Sequence, residues 1–201
     1  MVEQVETAGR GRRQLIGIIA LFLLPPIAAW IAWNYLGEHG VAGTTNNGTL
    51  ISPARPLQLQ QALVADGKSI DPDEFAGRWF YVVYGNNGCD QQCLQQLYVT
   101  RQARIAINKD IQRVRRLLVL DAVPDAPLAA KLASEHQDLL VAARASEQLR
   151  ASFRGENFDT RGGQFFLVDP LGNLMMFYPA DAEPRGVLRD LQKLLKVSQV
   201  G

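Results

Sequence analysis

The run Leu15–Leu36, LIGIIALFLLPPIAAWIAWNYL, constrains this chain more than any other feature: 22 residues pass without a charged side chain. As an α-helix it is about 33 Å long, enough to cross a hydrocarbon core of about 30 Å. The core helix of a small soluble domain rarely lacks charge over that length. A cleaved secretory signal has a shorter apolar stretch, closed by a small-residue cleavage site. Here only Ala42-Gly43-Thr44 offers such residues, well beyond the run. The sequence therefore predicts an uncleaved membrane anchor at 15–36. Pro25-Pro26 predicts a kink within it, because proline lacks a backbone donor and crowds the preceding turn. A membrane helix tolerates this better than an exposed soluble one. Trp30, Trp33 and Tyr35 gather at the far end, as an interfacial aromatic belt does.

The flanks orient the anchor. Arg10, Arg12 and Arg13 precede it, and the next Lys or Arg after it is Arg55. The positive-inside rule assigns residues 1–14 to the cytoplasm and the rest to the opposite side. That predicts a single-pass protein of an inner membrane, its domain facing the periplasm, or the intermembrane space in a mitochondrion. Residues 37–56 are rich in Gly, Thr, Asn and Pro and read as a linker. Residues 57–201 remain as one soluble domain. With 21 basic and 20 acidic residues, the chain has no charge excess that would draw nucleic acid.

That domain alternates strand and helix patterns. Trp79–Tyr84 is a short apolar run rich in β-formers, closed by the turn Gly85-Asn86-Asn87-Gly88. A helix is expected from about Cys89, with Leu94, Leu97, Tyr98 and Ile105 on one side. Leu117–Leu120 reads as a second buried strand and Leu139–Val141 as a third. Helices are expected near 128–136 and 145–153. Gln164–Val168 and Leu174–Tyr178 form a hairpin across Asp169-Pro170-Leu171-Gly172-Asn173, a strong turn signal. A last helix spans about 184–196, with Val187, Leu188, Leu191, Leu194 and Leu195 at helical spacing. The sum is an α/β fold with early parallel strands and a terminal antiparallel hairpin, which matches a thioredoxin-like fold.

Two cysteines, and no others, stand three residues apart in Cys89-Asp90-Gln91-Gln92-Cys93, after a strand and at the start of a helix. The unpaired N–H groups and positive dipole of a helix N-terminus favour thiolate, the form that attacks disulfides and binds soft metals. Two thiolates one helical turn apart suit Cu(I) or Zn(II). In an oxidising compartment they also suit a disulfide. Spacing does not decide between them. The alternative of two unrelated core cysteines fits their boundary position poorly. Arg113, Arg115 and Arg116 read as a solvated basic face.

The segment Trp79–Cys93, WFYVVYGNNGCDQQC, resembles the copper-site region of the SCO/SenC proteins, and Phe165–Asn173, FFLVDPLGN, resembles their late strand and turn. Those proteins combine one N-terminal anchor with a thioredoxin-like domain and a Cys-x-x-x-Cys pair. They deliver Cu(I) to the binuclear copper centre of cytochrome c oxidase subunit II, or reduce its cysteines. The resemblance implies metal or redox use of Cys89 and Cys93, with subunit II or other oxidase assembly factors as partners. Two departures stand out. Asp90 follows the first cysteine where the family has proline, and Arg161 occupies the position of the family's third copper ligand, a histidine. Arginine stays protonated and binds no metal. The two histidines are His39, beside the anchor, and His136, expected at a surface or helix end. Gln164 stands where thioredoxins carry a cis-proline facing the dithiol. The sequence leaves three readings: an oxidase copper-centre assembly factor, a membrane-tethered thiol–disulfide oxidoreductase of broader range, and a scaffold with a structural disulfide.

Overall fold

The computed structural model describes residues 3–39, 46–57, 63–64, 71–86, 88–160 and 163–198. The chain divides into two units, Met1–Thr45 and Asn46–Gly201. The first is the helix α1, Glu3–His39, which runs through Pro25 and Pro26. Its segment Gly11–Ala32 is long and apolar enough to cross a membrane. Leu21, Phe22 and Trp30 are exposed along it. So continuous an exposed apolar surface marks a membrane or partner contact.

Among the described residues the second unit has seven strands: β1 (Thr49–Pro56), β2 (Leu63–Val64), β3 (Trp79–Gly85), β4 (Val114–Leu120), β5 (Leu139–Ala143), β6 (Phe165–Val168) and β7 (Asn173–Tyr178). They form one mixed sheet in the order β1-β7-β6-β3-β4-β5-β2. β3, β4 and β5 are parallel neighbours. β6 returns antiparallel beside β3, β7 beside β6 and β1 beside β7. The helices are α2 (Gln91–Ala106), α3 (Ala126–Glu135), α4 (Glu147–Ser152) and α5 (Pro184–Val197).

β3 is buried along its whole length, as a central parallel strand must be. Its alternate residues serve two cores. Tyr81 and Val83 pack with Leu118, with Cys93 and Leu97 of α2, Leu132 of α3, and Val187 and Leu191 of α5. Phe80 and Val82 pack on the opposite face with Leu117, Val119, Leu149, Phe153 and Phe166. Right-handed crossovers β3-α2-β4 and β4-α3-β5, both stepping the same way along the sheet, put α2 and α3 on one face.

Three expectations change. The linker reading of 37–56 ends too late, because Thr49–Pro56 is a strand. It is an edge strand, where Pro53 and Pro56 forfeit no obligatory ladder bond. Tyr98 and Ile105 are half-exposed. The buried side of α2 is Cys93, Gln96, Leu97, Thr100, Ala103 and Arg104, a helical stripe whose polar members disguised it. Finally, Arg116 is fully buried. Strand alternation puts it on the same face as Val114, Leu118 and Leu120.

Candidate redox site at the start of helix α2

β3 delivers the chain to the carboxyl edge of the sheet, where α/β folds gather their sites. Asp90, not Cys89, begins the helix. It is the N-cap of α2, in extended conformation, and its Oδ1 accepts the backbone N–H of Cys93 at 2.8 Å. This meets a need that every helix start has, a partner for orphan N–H groups. The two cysteines thus straddle the cap: Cys89 lies before it and Cys93 in the first turn. They are joined as a disulfide with Cα atoms 5.2 Å apart. Cys93 is buried, while Cys89 is partly exposed, so Cys89 is the half of the pair open to solvent.

The loop before β6 is fastened against this turn. Asn86 Nδ2 donates to the carbonyl of Thr160 at 2.9 Å, and the Gln96 side chain donates to the carbonyl of Gly163. Gly163 has a φ of 65°, and a Cβ there would overlap the side chain of Gln92. Only glycine meets both conditions cheaply. Gln164 turns back on its own loop, its Oε1 accepting the Asp159 N–H at 2.9 Å. Arg161, which the sequence places at the third-ligand position, lies outside the described residues.

His136 is the C-cap of α3, as a helix-end residue, but it is buried rather than on the surface. It belongs to a polar cluster under α2. Arg116 donates to the carbonyl of Leu97 at 2.6 Å and to Asp138 at 3.0 Å, and its Nη2 lies 3.4 Å from His136 Nδ1. Arg104 reaches the carbonyl of Val114 at 2.7 Å and Asp138 at 3.2 Å. Burial pulls the Arg116 guanidinium down to about 10, against the pull of Asp138 in the other direction. Burial, then Arg116, holds His136 below the usual imidazole range. Sequence reasoning missed this cluster. The signal was present in Val114-Arg115-Arg116-Leu117, where a buried strand must point one arginine inward. His39 is the last residue of α1, in the other unit. Among the described residues no group of three or more His, Cys, Asp or Glu is placed to hold a metal ion. Reduction of the disulfide would expose two soft ligands, Cys89 and Cys93, which suit a two-coordinate Cu(I).

A family described as "Transmembrane-like, thioredoxin-like, C-terminal domain" matches residues 79–198. The chain belongs to this family. Its fold is shared with apo Sco1 from Thermus thermophilus, at 20% identity and a TM-score of 0.57, over 77% of this chain and 99% of that one. Yeast Sco1 with copper bound is similar at 12% identity and a TM-score of 0.52, covering 78% of this chain and 96% of that one. A thiol:disulfide interchange protein from Bacteroides sp. is similar at 13% identity and 0.51, covering 74% and 93%. No curated protein matches in sequence. The thioredoxin-like fold expected from the order of elements is therefore the fold observed, and the SCO-like architecture is matched in structure.

Proposed function

We propose that this family member is a membrane-anchored, SCO-like assembly factor that reduces the copper-centre cysteines of cytochrome c oxidase subunit II. The anchor is α1, with the N-terminus in the cytoplasm and the domain in the periplasm or an equivalent compartment. The observation that carries the reading is the Cys89–Cys93 disulfide at the first turn of α2, one sulfur-bearing residue open and the other buried. In the reduced protein the Cys89 thiolate attacks a disulfide of the target, forming a mixed disulfide and releasing one target thiolate. The Cys93 thiolate then attacks Cys89 Sγ, releasing the second target thiolate and closing the Cys89–Cys93 disulfide. Two electrons pass to the target, and a dithiol donor must restore the pair.

Cu(I) enters as cargo. The reduced pair supplies two thiolates for it, and among the described residues no group of three or more His, Cys, Asp or Glu is placed to extend that set. This favours thiol reduction over a three-ligand copper site. The test is trapping. Cys93→Ser leaves nothing to resolve the mixed disulfide, so a covalent adduct with subunit II accumulates on non-reducing gels, while Cys89→Ser forms none. Normal loading of the copper centre in cells carrying both substitutions would refute the proposal. An anaerobic Cu(I) titration with parallel thiol counting reads the cargo separately: one equivalent bound by the reduced protein, and none by the double variant.

A further inference from the structure

Beside the disulfide, two grooves follow one another along α2 and α3, together a trough in two parts. At its near end a groove of about 380 Å³ is lined by Cys89, Asp90, Val123, Asp125 and Leu128. Further along the same two helices lies a second groove of about 620 Å³, lined by Leu94, Tyr98, Arg101, Lys131, Glu135 and His136. The two ends differ in charge. The near end has two carboxylates, Asp90 and Asp125, both helix N-caps. The far end has Arg101 and Lys131 against the single carboxylate of Glu135. His136 lines the same end. Tyr98, half-exposed, adds an aromatic face on the same helix.

We propose that this trough docks an extended segment of the protein partner that carries its reactive cysteine at the Cys89 end and an acidic residue at the Arg101–Lys131 end. From Cys93 to Arg101 is eight residues of helix, about 12 Å. An extended peptide covers that in about four residues. The recognised pattern is therefore a cysteine followed or preceded, about four residues away, by one or more carboxylates. The opposed charges of the trough fix the direction in which the segment lies, because reversal puts its acidic end against Asp90 and Asp125. The cysteine in this pattern rests on the dithiol reading above; the acidic residue does not.

The test reads docking without thiol chemistry. The full chain in detergent, disulfide intact, is titrated with a fluorescent twelve-residue peptide that has serine at the cysteine position and three glutamates centred four residues away. A second peptide has lysines in their place. The expected result is saturable binding of the acidic peptide that weakens at least tenfold with added salt or in the R101E/K131E variant. Amide shifts in the wild-type chain should fall on α2 and α3. Equal affinity for both peptides, or shifts elsewhere on the domain, would overturn the proposal. So would undiminished binding by a folded R101E/K131E variant. The wild-type shifts decide the matter even if that variant does not fold. Failure here together with successful Cys93→Ser trapping would leave the redox reading standing and remove only the docking surface.

Discussion

Between the two cysteines, Asp90 sets the local electrostatics. It caps α2 by accepting the Cys93 N–H, and it stands between the two cysteines in the chain. In a resting oxidised protein this costs nothing, but in the reduced protein it opposes ionisation of the thiols. Asp90→Asn keeps a good cap and removes the charge. It should raise the alkylation rate of the reduced pair near neutral pH by about two- to fivefold, the scale of a charge at a helix terminus. An unchanged rate in a correctly folded variant would show that the carboxylate does not act on the sulfurs. The cysteines themselves were legible from their spacing and boundary position. The cap was not legible in the same way, because Asp90 lies between the cysteines, one residue after the expected start of the helix.

Helix α2 and strand β4 are coupled by Arg116, whose guanidinium bridges the carbonyl of Leu97 to Asp138. Burying a cation is tolerated only when it is paired and hydrogen-bonded. Asp138→Ala would strip Arg116 and Arg104 of their shared carboxylate. It should cost about 3 kcal/mol, toward the low end for a buried pair because Asp138 is partly open to solvent. The same cluster gives a pH dependence. Burial raises Asp138, but Arg116 and Arg104 pull it below the usual carboxylate range, so its contribution is present above that range and is lost as the pH falls through it. His136 is held below its ordinary value of 6.5, so the folded chain resists the proton that the unfolded chain accepts. Stability is therefore full above about pH 6.5 and falls as the pH drops below it. The urea midpoint should fall between about pH 7.5 and pH 5, and His136→Gln should flatten that slope. A slope equal to wild type would remove His136 from the cluster's energetics. At this scale the legible elements were those with clean periodicity: β3, β6, β7 and α5. Strand β1 was hidden by its edge position, which lets prolines stand where a central strand forbids them. The buried side of α2 was hidden by Gln96 and Arg104, whose partners lie outside the helix, and by Thr100, whose hydroxyl turns back onto the carbonyls of Gln96 and Leu97.

At the scale of the whole molecule, an apolar helix and a thioredoxin-like domain were both visible in the sequence. The first follows from uninterrupted hydropathy and the second from the order of strands and helices. What sequence could not place was the environment of the cysteine pair, since Thr160, Gly163 and the grooves along α2 and α3 come beside it only once the sheet has brought distant segments together. The central claim is that Cys89 and Cys93 are a working redox pair and not a staple. Equilibrating the full chain in detergent with dithiol buffers of graded potential, then counting free thiols, tests it most directly. The account predicts a reversible two-electron transition between about −120 and −270 mV, the range of working dithiol proteins. A pair that stays oxidised to potentials below about −300 mV, where structural disulfides lie, would contradict it.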